Sequence, residues 1–305
     1  MSRDERLDGA AVAAPDRLRR GQLADYLELT KPRVTTLVLL TTLVGFYLGS
    51  RAGVDLALLL HTLLGTALAA AGASALNQYI EREEDSRMRR TRGRPLPAGR
   101  METSYALLFG CLLSAAGIAH LALTVNRVAA GLVALTVLSY VFAYTPLKKK
   151  TTFCTLIGAI PGALPPLIGW AAADGSITPG GVILFAILFV WQMPHALAIA
   201  CLYRDDYEAG GFVLLPVRAR SSGLTGRLIV AHALVLVPLS LLPTLWGFAG
   251  TVYFAGALVL GMALVGLSIP MAVEASARSS RRLLLATVGY LPMLLALMAL
   301  DHRTP

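Results

Sequence analysis

The sequence predicts an all-α integral membrane protein of nine transmembrane helices, and three observations carry that prediction. Of 305 residues, 56% are hydrophobic and 15% charged, with a mean hydropathy of +0.65. A water-soluble globule of this length does not sustain such a composition. The apolar residues also run in stretches of about 18 to 25 with few or no charges, enough for a helix to cross roughly 30 Å of hydrocarbon. The charges collect between those stretches.

Nine stretches qualify, near residues 33–50, 56–79, 105–123, 127–145, 153–172, 179–202, 228–248, 250–273 and 283–300. The first follows 32 mostly polar residues and has no short apolar core with a small-residue cleavage site, so it reads as a retained helix and not as a signal peptide. Ahead of it, "MSRDERLDGAAVAAPDRLRRGQ" is charged, Ala-rich and without aromatic residues. Residues 1–28 are therefore expected to be a poorly ordered polar tail, and 29–305 a single transmembrane domain. The second helix runs into the charged segment 80–101, the fourth into "KKK" at 148–150, and the sixth into a long connection that starts at Arg204. The connections at the other ends are very short. Cys111, Cys154 and Cys201 are odd in number and lie in or beside apolar runs, so no disulfide framework is implied.

The formal net charge is +9, and its placement decides what it means. With the N-terminus inside, 24 of the 27 Lys and Arg residues fall in cytoplasmic segments, leaving Arg51, Arg127 and Arg303 outside. The bias of basic residues toward the cytoplasm thus predicts an N-terminus inside and a C-terminus outside. It also accounts for the basic balance without a nucleic-acid partner. Contact with the anionic lipid of the bilayer suffices. In the absence of a signal or organelle presequence, a prokaryotic plasma (inner) membrane is the expected location. The long connections, and with them the function, belong to the cytoplasmic face.

In the first long connection, Asn77, Glu81 and Asp85 are four apart. On a helix they form one stripe of oxygen acceptors roughly 12 Å long. With no His or Cys among them, such a set suits a hard cation such as Mg²⁺ rather than zinc. An ordinary charged helix end is the competing reading. Asn77 argues against it, because a lone amide inside an apolar run has to find a partner. Glu83 points to the opposite face and reads as a solvated partner for nearby arginines.

Downstream, Gly93, Pro95 and Pro97 end the helix, so "MRRTRGRPLPAGR" becomes a basic loop able to fold back. Its arginines beside the carboxylates could clamp a diphosphate. The second long connection opens with Arg204, Asp205, Asp206 and Tyr207 at the same membrane level, after a helix that carries Pro194 and His195. His195 reads either as a packed residue or as a site residue. His61, His120 and His232 read as packed residues.

The segments "LTKPRV" (29–34), "NQYIEREEDSRMRRTRGRPLPAGR" (77–100), "YTPLKKKT" (144–151), "IGAIPGALPPLIGW" (157–170) and "WQMPHALAIACLYRDDYEAGGFVLLPV" (191–217) resemble, in the same order, those of the UbiA superfamily of intramembrane prenyltransferases. "RTRGRPLP" and "WQMPH" with "DDY" resemble its haem-modifying branch. The resemblance implies a nine-helix bundle around a central cavity, with a Mg²⁺-diphosphate site at the cytoplasmic mouth. The activity it implies is transfer of farnesyl from farnesyl diphosphate to a vinyl group of haem B, with addition of water to give haem O. Carried over, it implies metal and catalytic roles for Asn77, Glu81, Asp85 and Asp206, with Asp205 a second candidate in the second acidic element. Lys31, Arg33, Arg94, Lys148, Lys149, Arg204 and Tyr207 are its implied diphosphate contacts, and His195 a candidate haem ligand. Two departures stand out: Glu81 replaces the usual Asp, and "DDYEAGG" has no acid four residues after either Asp. A haem-hydroxylating enzyme or an oxidase-assembly factor is the kind of partner such an enzyme would meet, though no residue identifies one.

Two rival readings use the same residues. One is the same fold acting on another aromatic or tetrapyrrole acceptor, against which the haem-branch segments speak. The other is a transporter with two weakly related halves, which would gather its acids near the bilayer midplane rather than at one face.

Overall fold

The computed structural model describes residues 13–51, 53–219 and 223–303, and its helices are α1 (Ala13–Leu29), α2 (Pro32–Gly49), α3 (Leu56–Ile80), α4 (Arg82–Arg87), α5 (Thr103–Thr124), α6 (Arg127–Leu147), α7 (Cys154–Asp174), α8 (Pro179–Leu202), α9 (Arg204–Ala209), α10 (Leu215–Arg218), α11 (Leu224–Leu245), α12 (Thr251–Val273) and α13 (Ala277–Leu300). Among the described residues, nine of these (α2, α3, α5 to α8 and α11 to α13) are long and apolar enough to span a bilayer. They match the nine expected stretches to within a few residues. The expected tail divides in two: residues 13–29 are helical, and residues 1–12 lie outside the described residues. The end of α1 docks by burying Leu29 with Ala75, Leu96 and Ala106.

Among lipid tails, helices gain little from hydrophobicity alone, so their contacts rest on small residues and close packing. The most extensive contact joins α3 to α5, where Gly65, Ala69 and Gly72 meet Gly110, Ser114 and Gly117. A Cβ on Gly72 would lie 2.5 Å from the Ser114 nitrogen and 2.7 Å from the Gly110 oxygen, so any side chain there would have to part the two backbones.

Helix α7 is the axis of the bundle and the most deeply buried of the nine spans. One side joins a core with α8 and α11 to α13 through Ala159, Ala163 and Trp170. Its other side joins α3, α5 and α6 through Leu164, Leu167 and Ile168. Pro161, Pro165 and Pro166 remove three amide donors from α7 and open its carbonyls to other partners. Gln192 of α8 crosses to this helix, donating to the Ala159 carbonyl at 3.3 Å.

At the end bearing the short connections, Arg51 pairs with Asp174 at 2.9 Å. At the other end, three connections interlock. Met88, Cys154, Ala200, Phe212 and Leu214 share one apolar cluster, and the Val213 amide donates to the Lys148 carbonyl at 2.7 Å.

Candidate active site

The α3 helix runs with unbroken polarity into its charged end. Asn77, Glu81 and Asp85 stay on one face because the i→i−4 pattern continues through the turn at Glu81: the Glu81 amide donates to Asn77 and the Asp85 amide to Glu81. Asn77, Glu81, Glu84 and Asp85 are 1%, 4%, 7% and 1% exposed, whereas Glu83 is exposed. The stripe thus faces inward and Glu83 outward, beside Arg82. Glu84 joins the buried set, which its position three residues after Glu81 could have indicated.

Each acceptor meets a cation from another part of the chain. Lys31, at the start of α2, donates to Asn77 Oδ1 at 2.7 Å. Lys148 pairs with Glu81 at 2.6 Å, Arg94 with Asp85 Oδ2 at 2.5 Å, and Lys149 with Glu84. The Asn77 amide nitrogen donates onward to Thr145 Oγ1 at 3.2 Å. Lys31 holds an uncommon left-handed backbone conformation with φ of 48°, which turns the chain from α1 into α2. Burial, then the nearby Arg94, lowers its pKa to about 7. Burial also works against the Lys148 charge, yet Tyr144, Glu81 and Tyr140 around it leave its pKa above the ordinary lysine value.

Among the described residues, two buried carboxylate oxygens, Glu84 Oε2 and Asp85 Oδ1, have neither a hydrogen bond nor an ion pair, while Glu81 Oε1 is held only by the Lys148 ion pair. They are oxygen donors of the kind a hard divalent cation takes. Among the described residues no three His, Cys, Asp or Glu side chains converge into an all-protein metal cage. Mg²⁺ does not need one, since it commonly binds through one or two carboxylates plus substrate phosphates.

The second acidic element approaches from the other side. Asp206 accepts the backbone amides of Arg89 and Arg90 at 3.3 Å each, so it shapes the basic loop. Tyr207 is 3.5 Å from Arg90, whose guanidinium lies over the Tyr203 and Tyr207 rings. Arg204 keeps a buried Nε without a hydrogen bond. Asp205 and Arg33 are exposed, outside the buried cluster.

Directly beneath the cluster lies a cavity of about 290 Å³, bounded by α2, α3, α6, α7 and α8. Its polar lining includes Ser74, Thr136, Tyr140, Tyr144 and Gln192. Tyr140 and Tyr144 sit on a π-helical turn, Ser139–Tyr144, that brings both rings onto the cavity, and Lys148 stands 4.5 Å above the Tyr144 ring. The tyrosines and Gln192 were missed in the sequence, where they sit unmarked inside apolar runs. His195 is not among the lining residues: its Nδ1 is 2.9 Å from Thr287 Oγ1, and its ring stacks on Trp191.

Among the described residues, nine spanning helices carry a buried oxygen stripe clamped by lysines and arginines above an apolar cavity, an arrangement suited to an anionic, greasy ligand held within the membrane. The chain belongs to the UbiA prenyltransferase family, whose profile matches residues 38–297. It is therefore a prenyltransferase and a multi-pass membrane protein. In particular it is similar to the protoheme IX farnesyltransferase of Solibacter usitatus (strain Ellin6076), with 46% identity over 289 residues covering 92% of this chain and 99% of that one. Two solved structures share the fold. One is described for digeranylgeranylglyceryl phosphate synthase, with TM-score 0.78, 18% identity and coverage of 92% of this chain and 98% of that chain. The other is a UbiA homologue from Archaeoglobus fulgidus bound to DMAPP and Mg²⁺, with TM-score 0.64, 16% identity and coverage of 90% and 99%.

Proposed function

We propose that the chain transfers the farnesyl group of farnesyl diphosphate to a vinyl group of haem B in a Mg²⁺-dependent reaction, with addition of water to give haem O. The observation that carries the reading is the pairing of every acceptor in the stripe with a base from another segment, directly above an apolar cavity. A metal diphosphate is the ligand that suits both halves of each pair. Its phosphates take Lys31, Arg94, Lys148 and Lys149, and its cation takes oxygens of Asn77, Glu81 and Asp85. No buried charge is left alone by the exchange, and that keeps its cost low. The protoheme IX farnesyltransferase relative supports the choice of haem and farnesyl, and the DMAPP- and Mg²⁺-bound homologue supports the metal diphosphate.

Bound Mg²⁺ would act as a Lewis acid on the leaving pyrophosphate. The chain's own part is to hold that leaving group. As the farnesyl C1–O bond breaks, its electron pair departs on the pyrophosphate, and Lys31, Arg94, Lys148 and Lys149 supply fixed positive charge where the negative charge grows. The cavity walls, with the Tyr140 and Tyr144 rings at the top, shield the allylic cation from early capture by water. The vinyl π electrons form the new carbon–carbon bond at C1. The cation left on the haem side chain is captured by water, which gives up a proton and leaves a hydroxyl. Asp206 serves this site by fixing the Arg89–Arg90 turn. The distribution of basic residues supports a site that faces the cytoplasm, in a bacterial plasma membrane like that of its relatives' organisms.

The test is the product mass after incubation of the purified chain with haem B, farnesyl diphosphate and Mg²⁺. A hydrated farnesyl adduct of haem is expected. Its absence, with farnesyl transferred to another tetrapyrrole or aromatic acceptor, would leave the prenyltransferase and remove the haem assignment.

A further inference from the structure

Two histidines that read in the sequence as unrelated packed residues are brought together at the end of the bundle opposite the polar cluster. His61 lies five residues after the start of α3 and His120 four before the end of the antiparallel α5. His61 Nδ1 and His120 Nε2 stand 3.3 Å apart, and the ring centroids 5.2 Å. The two helices are held rigidly here. One turn deeper, a Cβ on Gly117 would meet the Gly65 oxygen at 2.5 Å and the Ala69 nitrogen at 2.6 Å, so backbone touches backbone beside the pair. His61 is exposed and His120 half-buried, which leaves room for small ligands on the outer side. Along α3 the pair is roughly 24 Å from Asn77, well clear of the proposed diphosphate site.

The separation is informative. Zinc–imidazole bonds of roughly 2.0–2.1 Å at a tetrahedral angle put the two nitrogens about 3.3–3.4 Å apart. A square-planar Cu²⁺ site would need about 2.8 Å. Imidazole also excludes Mg²⁺ and Ca²⁺, which take oxygen. We propose that His61 and His120 form a bidentate site for a tetrahedral, borderline divalent metal of the Zn²⁺ type, with water in the two remaining positions. Two neutral imidazoles can share one hydrogen bond across the gap. The metal replaces that proton between the rings, and exposed His61 carries its own proton on Nε2 instead. Bound there, the ion clips α3 to α5 near their ends, in the hairpin that also carries the Asn77 stripe at its far end.

The probe is Zn²⁺ alone, added to the full chain in detergent with excess Mg²⁺ present to occupy oxygen sites. One Zn²⁺ per chain is expected, with two imidazoles in its X-ray absorption signature and a rise in Tm as the ion binds the folded state. His61→Gln and His120→Gln should each weaken Zn²⁺ binding at least about tenfold, a chelating ligand being lost, and remove the Tm rise. His232→Gln should leave both intact, since that ring bonds the Leu228 carbonyl elsewhere. Retained farnesyl transfer in the two variants would show that they fold. Zn²⁺ binding unchanged in either variant, no Zn²⁺ bound by the parent chain, or an ion coordinated only by oxygen would each overturn the proposal.

Discussion

Replacing Asp85 by Asn keeps the size and most of the hydrogen bonding of that side chain and removes one charge. Asp85 Oδ2 is 2.5 Å from Arg94, with the carboxylate 1% and the guanidinium 21% exposed. Two unit charges about 4 Å apart at an effective dielectric of 20 interact by about 4 kcal/mol, but Arg94 keeps an amide acceptor and some water. The net cost to folding should then be about 1–2 kcal/mol. Turnover should suffer more. Asp85 Oδ1 has no hydrogen-bond partner among the described residues and is an acceptor open to a cation. Losing that charge should lower turnover at least about a hundredfold, or about 2.7 kcal/mol. The assay is single-turnover farnesyl transfer with Mg²⁺ in detergent, beside a thermal melt. The double variant Asp85→Asn/Arg94→Gln separates the two effects: it should regain stability, since no buried charge is stranded, while turnover stays low. Glu83→Gln, on the outer face, should be nearly silent, and Glu81→Asp tolerated far better than Asp85→Asn. Full Mg²⁺-dependent activity in Asp85→Asn, together with loss in Glu83→Gln, would refute the stripe.

Four further outcomes follow from the same geometry. Chelating Mg²⁺ should abolish transfer and leave the melt almost unchanged, because Lys148, Arg94 and Lys149 already pair with Glu81, Asp85 and Glu84 in the chain itself; a large fall in Tm would count against that pairing. Reporters fused after Met101 or Lys150 should read cytoplasmic and one at Asp174 external, whereas an external signal at Lys150 would break the orientation. His195→Ala should cost about 1–2 kcal/mol of stability through the lost Thr287 bond and leave the Soret band of bound haem in place; a shifted band would make His195 a haem ligand. Gly72→Leu should cost several kcal/mol, seen as loss of a monodisperse detergent-solubilised species, because the new side chain meets the Gly110 and Ser114 backbone.

The spanning helices were legible because the bilayer imposes a length and an apolar composition on each one separately. The acidic stripe was legible for a similar local reason: residues four apart share a face whatever packs against them. Glu84 shows where local reading stops: its spacing places it beside Glu81 on the helix, but its pairing with Lys149, from the connection after α6, is set by the tertiary structure. Asp206 resembles a metal ligand by motif, but its two oxygens are turned toward the Arg89 and Arg90 amides by the docking of one connection on another. His195 is on the helix that supplies Gln192 to the cavity, yet three residues of helical rotation aim it at Thr287 on α13.

By itself, then, the sequence determined the number and length of the spans, the face on which the charges gather, and the register of Asn77, Glu81 and Asp85 along one helix. Those are properties of a single helix in a bilayer, set by periodicity and by the cost of placing charge in hydrocarbon. Only the tertiary structure decided which base meets which acid, where the cavity opens, and that His61 faces His120. Lys31 reaches Asn77 across 46 residues through the packing of one helix start on another helix's end, and His61 reaches His120 across 59 because glycine contacts between α3 and α5 set how closely those two helices cross. That crossing is a property of pairs of helices, written in no single stretch of either.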